Sequence, residues 1–397
     1  MDTRCVICGG GPAGMMLGVL LARAGVKVVV LEKHQDFLRD FRGDTVHPST
    51  MQILHELGWL TEFLKRPHQK AEEVSAFFGD KPYKVADFRH LPTVAKFIAL
   101  MPQWDFLDFL AERGRQYETF TLKMNAKVTH LIREGQRIVG VKGTSPEGEF
   151  EYRTDLVVAA DGRGSILREQ AKLEILNQGA PIDVLWMRIP RLNTDPDELR
   201  GRFAPGALFI MIMRGDYWQC AMIIPKDGFS KVKEKGLEAL KERLVAFEHL
   251  FKDRVDALKT WEDVKLLTVK VDRLKEWYRD GFLCIGDSAH AMSPIAGVGV
   301  NLAIQDAVAA ANILSEPLKN KSLGVADLAK IQKRREFPTK VIQFIQVTIQ
   351  ERFLKRVLSS AEDIKPPLLI RLVSLVPFLA RFPARIPAVG LRSEHLS

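Results

Sequence analysis

The stretch that most constrains this chain is Cys5-Val6-Ile7-Cys8-Gly9-Gly10-Gly11-Pro12-Ala13-Gly14. A short apolar run opens into glycines and then into a helix-forming segment, Met15 to Ala24. The spacing Gly9-x-Gly11-x-x-Gly14 is that of a dinucleotide-binding turn. Gly9 permits the tight turn, Gly11 lets a pyrophosphate approach the backbone, and Gly14 lets helix and strand pack closely. The N–H groups and positive dipole end of the helix then face the phosphates. A second apolar run, Val26 to Leu31, ends in Glu32, where a ribose hydroxyl needs an acceptor. Strand, glycine turn, helix, strand and acid, in that order, predict a βαβ unit. The pattern alone leaves NAD and FAD both open.

The 397 residues are 46% hydrophobic and 27% charged, a composition that supports a buried core and argues against disorder. The net charge of +9 favours anionic ligands such as dinucleotides or acidic substrates, and equally a membrane surface. Zinc-finger spacing and a helix-turn-helix pattern are missing, so nucleic acid is not an expected partner. Cys5 and Cys8 are spaced like a redox or metal pair, but residues three apart on one strand point to opposite faces. With Cys220 and Cys284 they read as buried small residues in a reducing compartment, and no metal ligands are assigned. The fingerprint begins at once, so no secretory leader is expected, and no run of about twenty apolar residues predicts a membrane span.

Further along, Asp155 to Ala160 reads as a buried strand that ends in Asp161-Gly162 and a helix start at Ser165. A third glycine-rich centre runs from Gly281 through Gly286-Asp287, Pro294, Gly297 and Gly299 to Asn301 and an alanine-rich helix. Strand-like runs dominate between about Pro181 and Val271. The chain is therefore expected to be α/β: a Rossmann-type FAD/NAD(P)-binding domain with an inserted, mostly antiparallel β-sheet substrate domain and a helical C-terminus. The expected division is 1–73, 98–179 and 273–330 for the first, 74–97 and 180–272 for the second, and 331–397 for the helical region. Pro338 is expected to kink or divide a long helix from about Gly324 to Ser359.

The three motifs, in this order over roughly residues 1–310, resemble the para-hydroxybenzoate hydroxylase family of FAD-dependent aromatic monooxygenases, which includes ubiquinone-pathway hydroxylases. The resemblance implies FAD held by Gly9, Gly11, Pro12, Ala13, Gly14 and Lys33, with Glu32 at the adenosine ribose and Arg42 at the phosphates. It implies Gln103 near the ribityl chain, Asp161 and Gly162 at FAD and the docking nicotinamide cofactor, and Asp287 at the ribityl or pyrophosphate region. Gly297, Val298, Gly299, Val300 and Asn301 would pass beside the flavin ring, with Pro294 also contacting the cofactor. NADH or NADPH would reduce FAD, and a flavin C4a-hydroperoxide would deliver one atom of O2 to an aromatic or quinone-like small molecule.

Other flavin oxidoreductases share this fold, such as prenyl-chain reductases and halogenases, and a non-enzymatic FAD-binding sensor is a third class. The halogenase segment Trp-x-Trp-x-Ile is missing here. Trp186, Arg188, Phe209, Met211, Met213, Trp218 and Met222 are expected to line the substrate wall, with His47, Arg188, Arg214 and Tyr217 as candidate catalytic or substrate-holding residues. The tail, Leu368 to Phe382, reads either as packed on its own protein or as a weak peripheral contact with anionic lipid. Packing is favoured because prolines shorten its helices, and a cytoplasmic location is expected.

Overall fold

The computed structural model describes residues 3–38, 45–362 and 364–397. Strand Cys5–Cys8 takes a central place in a six-stranded sheet, parallel to Val28–Leu31 on one side and to Leu156–Ala159 on the other. Phe120–Lys123 and Phe282–Cys284 extend the sheet in parallel, and Tyr278–Arg279 closes one edge antiparallel. The three inner strands are buried along their whole length, as a parallel sheet covered on both faces requires. Helix Pro12–Arg23 packs against helices Gln103–Gly114 and Gly299–Lys319. A Cβ on Gly14 would stand 2.0 Å from the Gly9 carbonyl oxygen, so the helix can lie this close to the strand only with glycine there. Cys5 and Cys8 are buried and free of disulfides, and burial pushes both thiols up, away from redox chemistry.

A second sheet of seven strands runs in the order Lys265–Leu267, Ile182–Pro190, Tyr217–Pro225, Ala207–Arg214, Leu199–Ala204, Glu73–Phe78, Lys81–Asp87. All its neighbours pair antiparallel except Leu199–Ala204 and Glu73–Phe78. Two chain segments far apart in sequence thus build one sheet.

Helix Val325–Ile349 is continuous through Pro338, so of the expected kink or division no division occurs. A proline there leaves the Arg334 carbonyl without its helical N–H. The Arg392 guanidinium donates to that carbonyl at 3.4 Å, and the Thr339 hydroxyl donates to the Arg335 carbonyl at 2.9 Å. The alanine-rich helix is longer and more apolar than expected. Ile295–Lys319 is long and apolar enough to cross a membrane, but it is largely buried in this core.

The chain's last residues are tied to the sheet by buried charge. Asp306 receives Nε2 of His290 at 2.5 Å, Nε of Arg335 at 3.1 Å and the Gly286 N–H at 3.1 Å. Arg335 in turn donates to Glu394 at 3.3 Å. Burial would raise the Asp306 carboxyl, but His290, Arg335 and the Gly286 N–H outweigh it and hold it below the ordinary range. Replacing Arg335 by Met would take one cation from each of two buried carboxylates, leaving Asp306 to His290 and Glu394 to Arg334. The expected cost is roughly 3–5 kcal/mol, read as a lower urea midpoint. An unchanged midpoint would show that the network contributes no stability.

Candidate functional site

The first half of the site is the opening turn. Gly11 caps helix Pro12–Arg23 with no side-chain hydrogen bond, and Pro12 at the first position needs no N–H partner. The remaining first-turn N–H groups are therefore left for a ligand. A Cβ on Gly11 would meet nothing within 4 Å, so the backbone there borders open space. Glu32 accepts the Gly10 N–H at 2.8 Å and the His34 N–H at 3.1 Å, which fixes its carboxylate beside the turn. Next to it, Lys33, His34, Gln35, Asp36, Leu38 and Asn125 line an open hollow of about 480 Å³.

The second half is the turn at Gly286-Asp287. Gly286 sits at φ +60, and a Cβ there would lie 3.0 Å from that of Ala13 and 3.3 Å from that of Ala303. The turn is wedged between the first turn of one helix and the second turn of the other. Asp287 is half-buried, with Arg163 at 3.4 Å. Burial raises the Asp161 carboxyl, and its Oδ1 is buried without a hydrogen-bond partner. Gly162 follows at φ +87.

Helix Gly299–Lys319 likewise starts without a side-chain cap. The loop before it holds Ala296 at φ +62, a left-handed conformation strained for alanine. A Cβ on Gly297 would stand 2.7 Å from the Thr45 hydroxyl and 3.6 Å from Nε2 of His47. Pro294 precedes this loop, and Val298 is buried while Val300 is half-buried. The Asn301 carbonyl oxygen accepts the Ser49 hydroxyl at 2.5 Å and the Thr50 hydroxyl at 3.1 Å. This side chain clamps helix Gly299–Lys319 to helix Pro48–Glu56. Gln103 is the first residue of its helix and half-buried. Arg42 lies outside the described residues.

His47 is buried at this junction. Its Nδ1 lies 2.8 Å from the Pro387 carbonyl. A carbonyl only accepts, so Nδ1 carries the hydrogen and the lone pair is at Nε2, which has no hydrogen-bond partner. Burial lowers the imidazole to about 4, so it is neutral at pH 7. Two uncapped helix starts, an open glycine face, and two unpartnered buried polar atoms, at Asp161 and His47, fit a long dinucleotide laid across both turns.

The expected substrate wall divides between two faces of the seven-stranded sheet. Strand alternation and register put Phe209, Met211 and Met213 on one face with Trp218 and Met222. That face is closed by helix Leu237–Phe247 and the turn after it, and Phe209 stacks on Phe247 with centroids 5.7 Å apart. The methionine stripe is core, not wall. Trp186, Arg188, Ile210, Ile212, Arg214, Tyr217 and Gln219 share the other face, and Trp186 and Ile210 join the cluster that includes Ile295 of the glycine loop. Arg214 is buried, with Nε donating to Gln219 at 3.2 Å, and it acts on the charge of Asp105, near Gln103. Arg188 is exposed, its guanidinium 5.1 Å from the Tyr217 ring centroid, so this pair lies at the outer end of the face.

Thr45, Ser49, Thr50, Arg163 and Gln219 were not legible as site residues. Only Gln219 had a signal, its alternation with Tyr217 along the strand.

The FAD binding domain model matches residues 2–345. The chain belongs to the FAD-binding family of flavin monooxygenases. This FAD enzyme is 33% identical over 358 residues to 6-methylpretetramide 4-monooxygenase of Streptomyces rimosus, covering 88% of this chain and 84% of that one. It is 29% identical over 346 residues to FAD-dependent monooxygenase aurC of Calcarisporium arbuscula, covering 78% and 68%. Its fold matches p-nitrophenol 4-monooxygenase PnpA from Pseudomonas putida DLL-E4 with a TM-score of 0.76 at 19% identity, covering 96% of each chain.

Two glycine variants of the FAD enzyme separate folding from binding. G14A collides with the Gly9 carbonyl and should be poorly soluble, whereas G11A should fold normally but purify without yellow colour. G11A purified with full flavin would refute the open-face assignment. For His47 the sign follows from its lowered value. The folded site refuses a proton that the unfolded chain accepts near pH 6.5, so stability is full above that pH and falls as pH drops toward 4. The loss is about 3 kcal/mol. Urea unfolding of wild type and H47Q at pH 7 and 4.5 should show this extra acid sensitivity only in wild type; equal slopes would contradict it.

Proposed function

We propose that this enzyme hydroxylates a large, electron-rich aromatic substrate that carries a phenolic or enolic oxygen, with NADH or NADPH as reductant and O2 as oxygen source. The observation that carries the reading is the Gly286 turn, wedged against Ala13 and Ala303. It brings two helix starts that lack side-chain caps next to each other. Bound FAD, once reduced, supplies the activation of O2.

The chain's own residues do the rest. Gly9, Gly11, Pro12, Ala13 and Gly14 offer backbone N–H groups and space to the pyrophosphate, while Glu32 and Lys33 take the adenosine ribose and Arg42 the phosphates. Asp161, Gly162 and Asp287 accept hydroxyls along the ribityl region, with Gln103 beside them. Pro294, Gly297, Val298, Gly299, Val300 and Asn301 border the ring, and the dipole of helix Gly299–Lys319 favours negative charge there. Trp186, Ile210 and Ile212 give the substrate an apolar wall that excludes water. Arg214, held by Gln219, orients the phenolic oxygen. His47, neutral with its lone pair at Nε2, accepts a hydroxyl hydrogen at the glycine loop. The likeness to a 6-methylpretetramide monooxygenase supports an aromatic substrate.

Purified enzyme with NADPH or NADH, a panel of polycyclic phenols and labelled O2 should yield one product heavier by one labelled oxygen. A halogenated product, or a saturated double bond without oxygen, would overturn the reading. R214M should raise KM at least tenfold with FAD retained, and D287A should lower flavin occupancy. An unchanged KM in R214M would remove Arg214 from the substrate wall.

A further inference from the structure

We infer that the C-terminal helices form a docking surface for an anionic lipid bilayer. Their amphipathicity is inverted relative to a surface helix of a soluble protein. In helix Leu368–Leu375, Val373 is buried while Leu368, Leu372 and Leu375, spaced i, i+4 and i+7, face outward. Leu368 is 81% exposed and Leu375 79%. In the segment Phe378–Val389 the buried positions are the small residues Ala380, Ala384 and Ala388, while Phe378 and Phe382 point out, the latter 60% exposed. Isolated exposed apolar residues need no explanation, but a contiguous patch of this kind marks an interaction surface.

Charge selects the occupant. From Ile364 to Ser393 the chain has no Asp or Glu, whereas Lys365, Arg371, Arg381, Arg385 and Arg392 are all cationic. A second copy apposed on this patch would bring like charges together, while an anionic headgroup layer would meet them. The geometry selects the mode. The two helical segments meet at 117°, and neither reaches the roughly 30 Å of a hydrocarbon core at about 1.5 Å per residue. They therefore lie in the interface with their apolar sides down. The tail also touches the site, through the Pro387 carbonyl on His47. A lipid-docked tail would hold the flavin cleft at the membrane surface.

The test is co-flotation of the full-length, flavin-loaded protein with vesicles of phosphatidylcholine alone or with 30% phosphatidylglycerol. Binding should be at least tenfold tighter to the anionic vesicles and weakened by 0.5 M salt. L372E/L375E should abolish it, and R371Q/R385Q should weaken it at least tenfold, with flavin content and circular dichroism unchanged in both. No binding, or equal binding to both vesicle types, would overturn the inference. So would a concentration-dependent dimer in light scattering that L372E/L375E dissolves.

Discussion

The turn at Gly286 decides where everything else can be. It sits at positive φ, tightly packed against Ala13 and Ala303, which favours glycine there. Helix Pro12–Arg23 is set by the first strand, and helix Gly299–Lys319 follows the fifth parallel strand, Phe282–Cys284, after the glycine loop. Because one small turn touches both, two helix starts that belong to distant parts of the sequence lie side by side. Glycine and alanine at these positions let three backbones approach this closely.

Buried charge holds that turn. The Gly286 N–H donates to Asp306, and Asp306 is held by His290 and Arg335, which reaches Glu394 near the chain's end. The C-terminal residues thus brace the Gly286 turn, while the Pro387 carbonyl meets His47. Such a network is costly to desolvate and costly to break, so it specifies one arrangement of the tail.

Much of the fold was legible because parallel strands and glycine turns have steep local requirements. The strand from Cys5, the acid at Glu32 and the turns at Asp161 and Asp287 each follow an apolar run whose length and ending leave few options. The sheet wall was harder to read. Alternation put Phe209, Met211 and Met213 on one face, but nothing local says that helix Leu237–Phe247 would cover that face rather than the flavin loop covering it. That this helix runs unbroken through Pro338 was also hidden, because the group that relieves its carbonyl, Arg392, is remote in sequence. Local pattern reports which residues share a face; it does not report what arrives there from afar.

The central claim, that two backbone cradles grip opposite ends of one FAD, is tested most directly by titrating the flavin-free protein with FAD, FMN and ADP separately. If both cradles bind, FAD should be held at least a thousandfold tighter than either fragment, since the second contact becomes intramolecular. FMN or ADP binding as tightly as FAD would show that one cradle is idle and contradict it.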